Sequence, residues 1–148
     1  AREAMALGSY YAGLSLNISG VGNVHAIAHQ LGGKYGIPHG LVNAVVLPHV
    51  LERSHSLMAK GLAELAELAG IGEDSDSDSV RSLKFIDEVK ALNNLLGMPL
   101  GFEQIQDQDM AGLAKDAVNE GRTYPVPELY ESIDVIDILK KITLKPSL

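Results

Sequence analysis

The stretch HAIAHQLGGKYGIPHG, residues 25–40, constrains this chain more than any other, because it places three of its five histidines among small and apolar residues. It runs without a break into Leu41-Val42-Asn43-Ala44 and Leu47-Pro48-His49. Neither solubility nor packing calls for imidazoles in such a setting, so the pattern points to chemistry. His25 and His29 stand four residues apart, which on an α-helix puts them on one face across a single turn. Gly32, Gly33 and Gly36 then lead to Pro38, so the helix is expected to stop near Gly32 and reverse through a glycine-permitted loop. Pro38 suits the first turn of a new helix. His39 would stand at the start of that helix, returned toward the first two. A metal ion bound by imidazole nitrogens at roughly 2 Å can be shared by His25 and His29, or held by one while the other faces a substrate. Two histidines on one helix and a third at the mouth of the next make a partial metal site.

The HxxxH spacing also occurs in zinc peptidases, where the residue after the first histidine is the glutamate that activates water. Here that residue is Ala26, and the peptidase reading fails on it. Residues 1–52, with the opening ARE, Ala12-Gly13 and then HAIAHQLGGKYGIPHGLVNAVVLPHVLE, resemble the iron-containing alcohol dehydrogenases, the group III metal-dependent alcohol dehydrogenases. The likeness is strongest over that run and thinner, though consistent in helix pattern, down to Leu148. It implies an all-helical C-terminal domain that supplies most of a metal site and an N-terminal α/β domain that binds NAD(P). It implies ferrous iron, or zinc, held by the Asp and His of a D-x-x-x-H helix and by two further histidines that correspond to His25 and His39. His29 matches a histidine beside the nicotinamide and the substrate, a catalytic rather than a ligating position. The implied reaction is reversible hydride transfer between an alcohol and an aldehyde or ketone, with the metal polarising the carbonyl oxygen as a Lewis acid.

Two departures shape the expectation. No D-x-x-x-H lies upstream of His25, and the GxG at Gly20-Val21-Gly22 follows no strand, so it fails as a phosphate loop and reads as a helix break. Residues 1–148 are therefore expected to form a single all-helical metal-site domain, a C-terminal part or half of a split enzyme, inactive without its dinucleotide-binding half. The runner-up is a non-enzymatic helical module that uses His25, His29 and His39 together as a three-histidine metal site.

A net charge of −7 with no basic cluster argues against nucleic acid and anionic membranes as partners. The absence of cysteine excludes disulfides, thiolate ligands and a cysteine nucleophile, and fits a cytoplasmic location. No charged leader or bilayer-length apolar run is seen, so the chain reads as soluble, its partners being a small alcohol or aldehyde, the missing half and possible further copies of itself.

Along the chain, residues 1–18 read as a helix whose Ala4, Gly8 and Ala12 form a row that lets another helix come close in the core. The helix from Pro38 to Glu52 is apolar nearly all round, which marks it as central, with Pro48 expected to kink it. His49 reads as a structural hydrogen-bonder beside that kink and His55 as a loop or helix-start residue. Met58, Leu62, Leu65 and Ala69 mark the next buried stripe, ended at Gly70. The Asp-Ser run at 73–79 has no central glycine or closing glutamate in calcium-loop register and reads as a solvated turn with a helix cap. Phe85, Val89, Leu92 and Leu96 form a fourth stripe, Met110, Leu113, Ala117 and Val118 a fifth, and Val135, Ile138, Leu139 and Ile142 the last. No stretch alternates with period two, so the fold is expected to be all-α, a bundle of about six to eight helices.

Overall fold

Glycines and prolines divide this sequence, and the helices fall between them. The computed structural model describes residues 1–145; the last three residues of the domain expected from sequence lie outside it. The helices are α1 (Arg2–Ser19), α2 (Asn23–Tyr35), α3 (His39–Arg53), α4 (His55–Leu68), α5 (Asp78–Leu95), α6 (Met110–Gly121) and α7 (Ser132–Ile142), with a 3-10 turn at Asp107–Asp109 before α6. The fold is all-α. Among the described residues the one extended pairing is an isolated parallel bridge between Phe102 and Thr143. Among the described residues no helix is long and apolar enough to cross a membrane.

The core is built by α2, α3, α6 and α7. Ile27, Ala28 and Leu31 of α2 meet Val42, Val45 and Val46 of α3, Leu113, Ala114 and Ala117 of α6, and Val135, Ile138, Leu139 and Ile142 of α7. Each large aliphatic side chain buried there stabilises the bundle by about 1.5–3 kcal/mol. Alanines at the crossings keep the axes close. A smaller cluster, Leu51, Leu62 and Ile86, joins α3 to α4 and α5. Helix α7 is well bounded: Glu131 and Asp134 form a capping box at its start, and Lys140 and Lys141 oppose the negative end of its dipole. Ser77 caps α5 by accepting from the Val80 N–H, as the Asp-Ser run suggests.

Four expectations are corrected. Helix α2 does not stop at Gly32 but continues through Gly33 to Tyr35, and the reversal is made by Gly36, which takes a left-handed φ of 67° while its N–H bonds the Gly32 carbonyl. Helix α1 has no buried residue, and nothing lies within 4 Å of where a side chain on Gly8 would start. The row of Ala4, Gly8 and Ala12 thus packs on no described element. Leu65 is half exposed, and the buried face of α4 is Leu62, Ala63 and Ala66 instead. On α5, Leu92 and Leu96 are exposed, while Phe85 and Val89 pack against the small cluster beside Ile86. Apolar periodicity marks a face able to be buried; only a partner helix decides whether it is.

The connector after α5 is tied to the end of α7 by Phe102 N–H to Ile142 O at 2.7 Å and Leu144 N–H to Phe102 O at 3.2 Å. A Cβ on Gly101 would lie 2.1 Å from the Ile142 carbonyl oxygen, so only glycine fits there. Gly101→Ala is expected to lower unfolding stability by about 2–3 kcal/mol, seen as a lower urea midpoint. Because an unpartnered helix of this length is marginal in water, the amides of α1 should exchange with solvent faster than those of α2 and α3 by orders of magnitude.

Candidate metal centre

Helix α2 carries His25 and His29 on one face, and the Gly36-Ile37-Pro38 reversal returns the chain so that His39 is the first residue of α3. The three imidazoles come together. Ring centres are 5.2 Å apart for His25 and His39, 5.8 Å for His25 and His29, and 5.2 Å for His29 and His39, whose planes are stacked at 20°.

Two imidazoles bound at about 2 Å to one tetrahedral ion have ring centres about 5 Å apart. The spacing of His25 and His39 meets that requirement, as does that of His29 and His39, so ring spacing allows either pair to take two coordination positions of one ion. Beside His39, the Asn43 amide donates to His39 Nε2 at 3.0 Å and to the His39 carbonyl at 2.9 Å, while Asn43 Oδ1 is buried with no hydrogen-bond partner. An orphaned buried acceptor next to a candidate ligand is a mark of a binding site rather than of a packed core. The pKa of His25 is lowered by burial first and by the neighbouring His39 and His29, with Glu120 opposing; this keeps His25 in the neutral form that ligates metals. Among the described residues no set of three His, Cys, Asp or Glu side chains is arranged to hold a metal ion.

The third ring is engaged elsewhere. His29 Nδ1 lies 2.5 Å from Glu120 Oε1, across from α6. Glu120 also accepts from Gln30 Nε2 at 2.7 Å and from the Tyr124 hydroxyl. Burial alone would raise the Glu120 pKa, but the hydrogen bonds from Tyr124, His29 and Gln30 outweigh it and hold the carboxyl below its usual range. The same contact pushes the Tyr124 phenol up to about 12. Neither Glu120 nor Tyr124 was marked by any motif. The available signal was positional, because Glu120 continues the buried row of Leu113 and Ala117 at helical spacing, where a carboxylate needs partners.

The two remaining histidines lie apart from this cluster. His49 lines a pocket of 240 Å³ with Val45, Pro48, Lys90 and Leu100. His55 opens α4 and bonds Ser82 Oγ at 2.7 Å. Gly20-Val21-Gly22 is the break between α1 and α2, with Gly20 at φ 75°, and it packs against Pro125 and Val126. It thereby sets α2 beside the segment that carries Tyr124.

Residues 1–143 match the model of the Fe-containing alcohol dehydrogenase family, C-terminal. The chain belongs to this family. Curated relatives include the NAD-dependent methanol dehydrogenase of Bacillus methanolicus, 34% identical over 142 residues, which are 95% of this chain and 37% of that protein. Another is the 1,3-propanediol dehydrogenase of Citrobacter freundii, 32% identical over 143 residues, again 95% and 37%. Among solved structures it resembles an alcohol dehydrogenase from Oenococcus oeni, with a TM-score of 0.81, 30% identity and coverage of 88% of this chain and 35% of that one. A 1,3-propanediol oxidoreductase superposes with a TM-score of 0.77 at 31% identity, covering 82% and 32% of the two chains. The chain thus spans little more than a third of the length of the relatives it matches.

His49 has a consequence for stability. Its Nδ1 has no hydrogen-bond partner and sits 3.7 Å from Glu52 Oε2, too far for a hydrogen bond. Burial lowers its pKa from the ordinary 6.5, and Glu52 only partly offsets this. The unfolded chain then binds the extra proton first, so stability is complete above pH 6.5 and declines as pH falls through the lowered folded value. Urea midpoints measured against pH should show this decline, and His49→Gln should flatten it.

Proposed function

We propose that this chain supplies the metal-holding side of the active site of an NAD(P)-dependent, metal-dependent alcohol dehydrogenase. His25 and His39 are two ligands of a ferrous or zinc ion, and His29 is the substrate-side residue that exchanges a proton with the alcohol oxygen. The remaining ligands and the dinucleotide-binding domain come from outside residues 1–148, in a soluble cytoplasmic enzyme acting on a small alcohol and its aldehyde or ketone. The observation that carries this reading is the convergence of three imidazoles from two helices at ring separations of 5.2–5.8 Å. Family membership and the names of the relatives, a methanol and a 1,3-propanediol dehydrogenase, support a small alcohol as the substrate class.

When bound, the ion supplies Lewis-acid polarisation of the substrate oxygen and the nicotinamide supplies or takes up hydride. This chain's own residues do the rest of the local work. Helix α2 presents His25 in its neutral, ligating form, and the first turn of α3 presents His39 with its ring steadied by Asn43. His29 stands between them and α6, close enough to the pair to meet whatever oxygen is bound there.

Calorimetric titration of the chain with zinc at neutral pH tests the assignment. His25→Ala and His39→Ala should each weaken binding by tenfold or more, about 1.4 kcal/mol, while His29→Ala should stay within about twofold of the parent. Equal losses at all three positions would favour the three-histidine binding module instead. NADH and an aldehyde added to the pure chain should give no turnover, and a rate well above background would overturn the assignment of the cofactor domain to a different segment.

A further inference from the structure

We propose that Glu120 positions His29 for proton transfer: its carboxylate accepts a hydrogen bond from the ring's Nδ1–H and leaves Nε2 as the nitrogen that meets the substrate. The assignment of His29 to the substrate side rests on the function proposed above; the role of Glu120 rests on geometry.

An ionised carboxylate only accepts hydrogen bonds, so a contact of 2.5 Å between Glu120 Oε1 and His29 Nδ1 requires the hydrogen to reside on Nδ1. The carboxylate itself is clamped. Gln30 donates one amide hydrogen to Glu120 Oε2 at 2.7 Å and reaches the Ala26 carbonyl of its own helix at 3.1 Å, which fixes the donor to α2. Tyr124 donates from the other side, after the turn that ends α6. The approach of α6 to α2 is set by Gly121, where a Cβ would lie 3.2 Å from Asn23 Oδ1 and 3.7 Å from Ala26 Cβ. A bare backbone there lets α6 come near enough for the residue before it to reach His29. Asn23 in turn donates to the Glu128 carbonyl at 3.0 Å, anchoring the same helix start.

The proton arithmetic closes. In alcohol oxidation the proton released as the O–H bond breaks would go to the Nε2 lone pair of His29, and a bound NAD(P)⁺ would supply the hydride acceptor that balances the step. The imidazolium so formed keeps its Nδ1 hydrogen on Glu120, whose negative charge stabilises it. Reduction returns the Nε2 proton to the oxygen as hydride arrives. A carboxylate that orients a base and stabilises its protonated form without taking the proton is an established arrangement in acyl-transfer triads. Glu120 touches neither substrate nor metal in this scheme, so it is a positioning residue.

The test is the tautomer of His29, read by long-range ¹H–¹⁵N correlation on histidine-labelled chain above neutral pH and without metal. The parent chain should show His29 protonated at Nδ1. Glu120→Met, which keeps the length and removes both acceptor oxygens, should move His29 toward the Nε2–H form that an unconstrained imidazole prefers. Glu120→Gln, which retains one acceptor oxygen, should restore part of the Nδ1–H population. An Nε2–H parent overturns the proposal without need of any variant. So does a Glu120→Met pattern identical to the parent's, even with a lowered melting temperature, because that would make Glu120 merely structural. A wrong ligand assignment for His25 and His39 shows only in the zinc titration, and a wrong role for Glu120 only in the nitrogen pattern.

Discussion

The reversal between α2 and α3 is the constraint from which the rest of the site follows. Gly36 adopts φ 67°, a conformation that side chains strain to reach, and its N–H closes onto the Gly32 carbonyl. Gly32 has its own part, since a Cβ there would sit 3.5 Å from the Ile37 carbonyl oxygen, so the chain folds back over bare backbone. Ile37 is buried and Pro38 opens α3. On either side Leu31 and Val42 have no exposed surface, and burying such side chains is worth about 1.5–3 kcal/mol each. Core packing thus holds His39 beside His25 and His29, and the imidazoles need no bond among themselves to stay gathered.

The sequence carried much of this in readable form, for identifiable reasons. A four-residue spacing is a local fact about helices, so His25 and His29 on one face follow from two letters. The stripes of α6 and α7 were legible because both helices lie against partners, and Met110, Leu113, Ala117 and Val118 of α6 and Val135, Ile138, Leu139 and Ile142 of α7 are all buried. The stripes of α4 and α5 were half legible. Those helices pack mainly on each other and on α3, so Leu65, Leu92 and Leu96 point away from any described neighbour. Helix α1 is the extreme case, apolar along its length and covered nowhere. The turn was misplaced by one helical turn because three glycines compete for it, and only the positive φ at Gly36 distinguishes the residue that makes it.

The partner of Glu120 was not legible in sequence, though its place on the buried row of α6 was. Glu120 meets His29 across 91 residues, and no local rule connects a carboxylate near the end of one helix to an imidazole on another. Its tie depends on Gly121 letting two helices approach and on Gln30 and Tyr124 supplying donors. Local spacing therefore gathered the three histidines and the family resemblance singled out His25 and His39 as ligands, while the carboxylate that meets the third histidine emerged only from packing. The division is physical: ligands can share a helix and its reversal, but the groups that tune them come from whichever element packs alongside.

The central proposal is that His25 and His39 are the two imidazole ligands, while His29 beside them is engaged by Glu120. Anomalous diffraction from crystals of the chain grown with zinc tests it most directly. The account predicts one ion bridging the His25 and His39 nitrogens at about 2 Å, with His29 still on Glu120. An ion ligated by all three rings, or none between His25 and His39 at saturating zinc, would contradict it.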